Sequence, residues 1–450
     1  HLSNVHHLAV KRDGVQSIQI EQESACSIIY REETAGMSHI IFHIDVNSAY
    51  LSWTAVEQLK NGADVDIRTI PAIIGGDRES RHGIVLAKSP SAKKFGIRTG
   101  EPVVNAFRKC PNLHMDPPNH RMYREYSRRL MDFLKTYTPE IEQVSVDECY
   151  MDFTGIAQRF SSPVEAAYEI KARVYEKFGF TVNVGISTNK LLAKMASDFE
   201  KPNRVHTLFP EEVKEKMWPL PVSELFMAGK SSVAILEKLE IRTIGELAKT
   251  DPKLLEFHLK SHGRTLWEFA NGIGDAKVQS EETAAKGVGN STTLPKDVEK
   301  AEDAKKVLFS LAESVGKRLR KAGQKANMVS VEIRYSDFQN VSHQKQLGRA
   351  SGADQVIYEA ACSLFDELWN GKPIRLLGVR TAKLVDEDEP EQLSLFDLQF
   401  EVKSEKPKKS MEKLSAAMGE IRGKYGADAV IRGSVLEQRE KEKKYEKKQF

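Results

Sequence analysis

Three acidic residues carry the strongest chemical signal in this chain of 450 residues. Asp147 and Glu148 are adjacent in Ser145-Val146-Asp147-Glu148, and Asp45 closes the apolar run Ile40-Ile41-Phe42-His43-Ile44. Successive strand side chains point to opposite faces, so a neighbouring pair aims at one point only from a turn or a strand end. An acid at the end of a buried strand needs a partner, because a bare buried carboxylate is costly. If the two stretches lie side by side, three carboxylates converge, and they cannot all stay ionised without cations. Hard divalent ions with oxygen ligands, Mg²⁺ first, meet that need. Two such ions roughly 3.5–4 Å apart align a 3′-hydroxyl with an α-phosphate. The competing interpretation is a helix-capping Asp45 and a solvated turn.

The elements that must position these acids can be read from residue patterns. Ile141, Val144 and Val146 before the pair, and Tyr150, Met151 and Phe153 after it, favour two short strands in a tight hairpin. A helix is expected over 48–60, with Leu51, Val56 and Leu59 on its apolar side and Asn61-Gly62 as its stop. Short strands follow at 72–74 and 83–87, then a basic helix ending at Phe95-Gly96. Residues 119–138 read as a helix with Tyr123, Tyr126, Leu130, Phe133 and Leu134 inward and Pro139 as its end. Residues 163–178 form a second helix stopped by Gly179, and 181–186 a strand. Ser187-Thr188-Asn189 then caps a helix running to Phe199. Taken together this is a β-α-β-β-α-β, ferredoxin-like pattern. Residues 210–273 read as a helical unit in which 241–247 link two helices and 261–264 begin a second hairpin. After a polar linker over 274–286, the β-α-β-β-α-β pattern returns, with helices at 302–321 and 354–369 and strands at 328–335, 341–347 and 375–383.

Three strings carry a family resemblance: IIFHIDVNSAYLSW at 40–53, SVDECYMDFTG at 145–155 and GISTNKLLAKMASDFEKPN at 185–203. In order and spacing they resemble the Y-family translesion DNA polymerases, above all the bacterial group typified by DNA polymerases IV and V. The likeness spans about 37–384. It implies an α+β multidomain right hand. A ferredoxin-like palm takes 37–68 and 116–209, small fingers 69–115, a helical helix–hairpin–helix thumb 210–277, and a β-α-β-β-α-β little finger 278–385. A tail follows over 386–450, and residues 1–36 are read as an extension outside the fold.

The resemblance also implies an activity: low-fidelity DNA synthesis past damaged bases by two-metal nucleotidyl transfer, within DNA repair and the SOS response. Its substrates would be primer–template DNA and deoxynucleoside triphosphates. Two Mg²⁺ ions, with Mn²⁺ as a substitute, would be held by Asp45, Asp147, Glu148 and the backbone carbonyl of Val46. Tyr50 would be the steric gate beneath the incoming sugar, with Asn47, Ser48 and Ala49 around the nucleotide. Lys201, in Lys-Pro-Asn, stands where the family's lysine reaches the β- and γ-phosphates. Lys93 falls where a triphosphate-binding arginine is usual and Pro90 where a tyrosine is common, which leaves that half of the clamp short of donors. In the thumb, Gly229 and Lys230 belong to a phosphate-binding turn whose first glycine is here Met227.

Composition sets the frame. A hydrophobic fraction of 40% permits real cores, and the 29% of charged residues nets only +3. The charge is uneven: residues 286–385 hold 17 Lys and Arg against 11 Asp and Glu, a balance of +6. Lys317, Arg318, Arg320, Lys321 and Lys325 are its densest cluster, and sequence-independent backbone binding is the expected use. The four cysteines (Cys26, Cys110, Cys149, Cys362) form no CxxC pair, which argues against zinc or disulfides and for a reducing cytoplasm. No apolar run approaches a membrane span. After an acidic stretch at 386–391, Gln392-Leu393-Ser394-Leu395-Phe396 resembles the bacterial sliding-clamp-binding peptide: Leu395 and Phe396 would fill an apolar pocket, with Gln392 and Leu393 beside them. Residues 406–423 read as a basic amphipathic helix. The rival readings are a palm-type nucleotide cyclase and a catalytically silent DNA- and clamp-binding scaffold.

Overall fold

Strand β1 (Ile41–Val46) is the axis of the first sheet, with Ile41 and Phe42 fully buried and Ile44 nearly so. The computed structural model describes residues 39–77, 83–281 and 284–389, and a few tail residues (417–418, 421, 424–426, 429–430). The expected extension at 1–36 and the clamp-like peptide at 392–396 lie outside the described residues, as does most of the helix expected at 406–423. The described chain divides into two compact units, one reaching to about residue 282 and one beginning there.

In the first unit β1 leads through Ser48, in left-handed backbone (φ 47°), into helix α1 (Ala49–Lys60). Strands β2 (Ala72–Gly75), β3 (Val85–Lys88) and β4 (His114–Asp116) form a small sheet in the order β3-β2-β4, with helices α2 (Pro90–Lys94) and α3 (Val103–Lys109) between β3 and β4. Helix α4 (His120–Leu134) returns the chain to the main sheet. There β5 (Ile141–Gln143) and β6 (Glu148–Asp152) form the hairpin, α5 (Pro163–Phe178) ends at Gly179 in left-handed backbone, and β7 (Val182–Ser187) is wholly buried. Helix α6 (Lys190–Asp198), capped by the Asn189 side chain, and β8 (Val205–Thr207) complete it. The order β5-β6-β1-β7-β8 is the ferredoxin-like arrangement with one extra parallel edge strand, β8.

Helices α7 (Lys230–Lys238), α8 (Ile244–Lys249), α9 (Pro252–Leu259) and α10 (Ser261–Ala270) build a helical cluster whose core is continuous with Leu191, Leu192, Met195 and Ala196 of α6. Met227 takes left-handed backbone (φ 71°), so the turn before α7 keeps the conformation a glycine would favour, at a cost of about 1–2 kcal/mol.

The second unit repeats the element order with β9 (Gly287–Val298), α11 (Ala301–Lys321), β10 (Gln324–Tyr335), β11 (Asn340–Ser351), α12 (Asp354–Leu368) and β12 (Ile374–Asp386). Its sheet runs β11-β10-β12-β9, all antiparallel. Here the first strand is at the edge, whereas β1 is central in its sheet, so the shared pattern of elements hides two different pairings.

Several expectations need correction. Leu59 is exposed, and the buried face of α1 comes from Leu51, Trp53, Ala55 and Val56. Helix α4 ends at Leu134, before Pro139 is reached. The segment expected to link helices over 241–247 is already helical from Ile244, because Thr243 and Glu246 form a reciprocal capping box. Residues 261–264 are the first turn of α10 rather than a loop; Lys260 alone separates the two helices. Gly263 lets them approach, since a Cβ there would stand 2.2 Å from the Leu255 carbonyl oxygen. Helix α3 and strands β4 and β8 were not foreseen, being too short to show a period.

Candidate active site

The ladder sets the three acids beside one another. Asp45 faces Glu148 across the β1–β6 pair, and the Val46 amide donates to the Asp147 carbonyl at 3.0 Å. Asp147 sits in the turn before β6 and Glu148 is its first residue. Among the described residues no three Asp, Glu, His or Cys side chains form a ready metal-binding group. The strand pair brings the three acids together, near enough that Asp45 and Glu148 both act on the Asp147 carboxyl, and each carboxyl group has its own partner.

Those partners are specific. Asp45 accepts from Lys201, which also reaches Asp198 at 2.8 Å. Glu148 lies 2.7 Å from Lys194 Nζ and 3.3 Å from His43 Nε2, the latter a contact whose angle falls short of a hydrogen bond. Asp147 accepts the Ser145 hydroxyl at 2.6 Å. The electrostatics follow. His43 and then Lys194 hold Glu148 down at about 2 against the burial that opposes them. Burial pushes the Asp147 carboxyl above its ordinary value; Ser145 opposes this, and Asp45 and Glu148 add to it. Burial works against the charge of Lys201, but Asp45 and Asp198 outweigh it and hold that group above the usual lysine value. Burial keeps the fully enclosed His43 below the ordinary histidine value, and its Nδ1 bonds the Ser197 hydroxyl at 2.8 Å.

A cavity of about 560 Å³ opens over the acids, within the size range of small-molecule sites. Of the residues singled out from the sequence, it gathers Asp45, Val46, Asn47, Ser48, Ala49, Tyr50, Lys93, Asp147 and Lys201. Glu148 is not among the residues lining it. Lys88 and Thr99 also line the cavity and were not singled out. The signal for Lys88 is the alternation in β3, where Val85 and Ala87 are buried and Leu86 and Lys88 turn to the other face. Tyr50 stacks on Tyr123 at 4.3 Å and 9°, and Trp53 and Tyr126 continue the aromatic wall. Asn47 is buried: its amide nitrogen donates to Asn183 at 3.1 Å, and its carbonyl oxygen accepts from Thr181 and the Asn203 amide.

The donor set suits a hard divalent cation: carboxylates, with a backbone carbonyl adjacent, and no soft ligand. Asp147 adds a physical reason, because it is a largely buried carboxylate with a hydroxyl partner and no cation among the described residues.

In the helical cluster, Gly229 precedes α7 with open space around it, and Lys230 is exposed. In the second unit the basic cluster splits. Arg318 donates to the Gly289 carbonyl and Lys325 to that of Glu387. Arg320 is bound to the Gly352 carbonyl and at 2.6 Å to Asp354, whose side chain is 8% exposed. Only Lys317 and Lys321 are exposed with no partner among the described residues. The sheet face opposite the helices holds a cavity of about 840 Å³ lined by Asn290, Ser330, His343, Gln344 and Arg380 among others.

Residues 44–198 match the impB/mucB/samB family and 285–395 that family's C-terminal domain. The chain is 49% identical over 405 residues to DNA polymerase IV of Clostridium acetobutylicum, covering 90% of this chain and 100% of that one. It is 37% identical over 411 residues to DNA polymerase IV 1 of Bacillus subtilis, covering 91% and 96%. Its fold is similar to that of a chimeric Y-family DNA polymerase, with a TM-score of 0.68 at 24% identity over 77% of this chain and 99% of the other. No described helix is long and apolar enough to cross a membrane. With its motifs, its ferredoxin-like sheet and these relatives in agreement, the chain belongs to the Y-family translesion DNA polymerases of the impB/mucB/samB family.

Proposed function

We propose that this protein is a DNA-directed DNA polymerase that copies templates past damaged bases, taking primer–template DNA and deoxynucleoside triphosphates as substrates. The observation that carries the reading is the single cavity gathering Asp45, Asp147, Tyr50 and Lys201. Bound at Asp45, Asp147, Glu148 and the Val46 carbonyl, two Mg²⁺ ions, or Mn²⁺ in their place, would supply Lewis-acid alignment of the primer 3′-oxygen with the nucleotide α-phosphate. The chain's own residues do the rest. Lys194 and His43 fix Glu148 in its ionised form. Lys201 offers a point charge to the outer phosphates. The Tyr50 ring, backed by Tyr123, cannot retreat from a sugar above it, which excludes a 2′-hydroxyl.

The division of labour follows the resemblance: palm 37–68 and 116–209, fingers 69–115, thumb 210–277 and little finger 278–385. Gly229, Lys230, Lys317 and Lys321 serve the DNA backbone, and the positive balance of 286–385 supports that use. Gln392, Leu393, Leu395 and Phe396 bind a bacterial sliding clamp, and the setting is the cytoplasm. Primer extension with Mg²⁺ on undamaged and lesion-bearing templates tests the reading. Extension past the lesion is expected; no incorporation on either template would overturn it.

A further inference from the structure

Two lysines on the β3–α2 wall of the cavity stand close enough to act on each other. Lys88 is the last residue of β3 and Lys93 lies on α2, and both line the space shared with Asp45, Tyr50 and Lys201. Among the described residues neither is ion-paired. The Lys88 ammonium donates to the Thr99 hydroxyl at 3.2 Å, and Thr99 lines the same cavity. The nearby acid, Glu101, is already engaged: it takes Lys109 at 2.5 Å and the Arg98 amide at 2.9 Å. Lys201 is neutralised by Asp45 and Asp198. Glu101 acts on Lys88 through space, but among the described residues Lys88 and Lys93 are the lysines of the cavity without an ion pair.

The arrangement is preorganised. Ser89, between the two lysines, is fully buried; its hydroxyl donates to the Ile70 carbonyl at 2.7 Å and accepts from the Ala72 and Ala92 amides. Pro90 then opens α2 with its backbone already set. Lys88 thus issues from a pinned turn. Burial, and then the charge of Lys93, hold its ammonium below the ordinary lysine value, with Glu101 opposing them. A polyanion between the two lysines would relieve both effects, because it supplies opposite charge where desolvation and like charge now oppose ionisation. Asp45 and Asp147 line the same cavity, so an anion drawn into it has charge of both signs to orient it.

We propose that Lys88 is a triphosphate ligand, and that Lys88 and Lys93 together, steadied by Thr99, clamp the phosphates of the incoming deoxynucleoside triphosphate. This rests on the polymerase reading above. It also accounts for the family departure at Pro90 and Lys93, since a second lysine from the neighbouring strand supplies the missing donor. Two ammonium groups act as separate point charges where an arginine would present a fork.

The test is single-nucleotide insertion on an undamaged primer–template with the Lys88→Met protein, whose side chain keeps an unbranched apolar stem and lacks the charge. The KM for the nucleotide should rise about tenfold, with kcat within about threefold and primer–template affinity unchanged, as for loss of a ground-state charge contact. Lys88→Arg should restore most of the KM, and Thr99→Val should raise it by a smaller factor. A KM within about twofold of the parent in Lys88→Met overturns the proposal, as does an equal loss of DNA affinity. Binding of inorganic tripolyphosphate to parent and variant separates the two readings. If the parent fails to extend any primer, the polymerase reading falls; weaker tripolyphosphate binding in Lys88→Met would still sustain the clamp, and unchanged binding would overturn it.

Discussion

Asp45 stands directly across the β-ladder from Glu148, and the Val46 amide beside it is bonded to the Asp147 carbonyl. The position of all three acids is thus a property of one strand pair. Each carboxyl group nevertheless has its own partner, and among the described residues Asp147 is the acid of the three that no lysine, arginine or histidine pairs with.

That inequality predicts a split between activity and stability for Asp147→Asn. Extension should fall by several orders of magnitude with primer–template binding nearly intact. The Asp147 carboxyl is pushed up in the folded protein, so folding favours its protonated form. Above the pKa of the unfolded chain its ionisation therefore works against the fold, and the neutral amide removes that penalty. Single-turnover extension, DNA-binding anisotropy and a thermal midpoint at pH 7 check this. Full activity, or a marked fall in the midpoint, would contradict the assignment.

Tyr50 should govern sugar choice. Truncation in Tyr50→Ala removes the ring while leaving Tyr123 in place behind it. Ribonucleotide insertion should rise sharply, and deoxyribonucleotide insertion should stay within a few-fold of the parent. Competing dATP and ATP on one template gives the ratio directly, and an unchanged ratio would return Tyr50 to the role of a core aromatic.

Arg320 and Lys317, neighbours in one basic cluster, should behave differently. Arg320→Ala removes the ion pair at 2.6 Å to the buried Asp354. It should lower the stability of the second unit by roughly 2–3 kcal/mol, allowing for the partial exposure of the arginine. Lys317→Ala should leave stability unchanged and reduce the salt slope of DNA binding by about one. Denaturant titration and affinity measured across salt concentrations separate the two effects. Equal behaviour of the two variants would show that the cluster acts as a whole.

The peptide at 392–396 should matter only when a clamp is present. Replacing Leu395 and Phe396 with Ala removes its two apolar anchors. Distributive extension should be unchanged, and stimulation by a loaded bacterial sliding clamp should be lost, because the tether works through effective concentration. Product length on a primed circular template, with and without clamp, is the measurement. Stimulation like that of the parent would move the contact elsewhere in the chain.

Most strands and helix ends, and the three candidate acids, were legible in the sequence, because period, caps and breakers are local. Pro163 and Gly179 bound α5 as expected, and Asn189 caps α6 through its own side chain. The tertiary structure decided the pairings. Identical element orders gave a sheet with β1 at its centre and another with β9 at its edge, since strand order depends on contacts far apart in the chain. It also decided which charges are free. Arg320 and Lys317 look alike in the sequence, yet only Arg320 meets a buried acid, and that acid lies 34 positions away. The alternation in β3 turns Lys88 away from the buried face, but it was the fold that set it in one cavity with Lys93 and Thr99. Charge compensation acts through space, which is why the sequence alone determined the acids and the fold determined their partners.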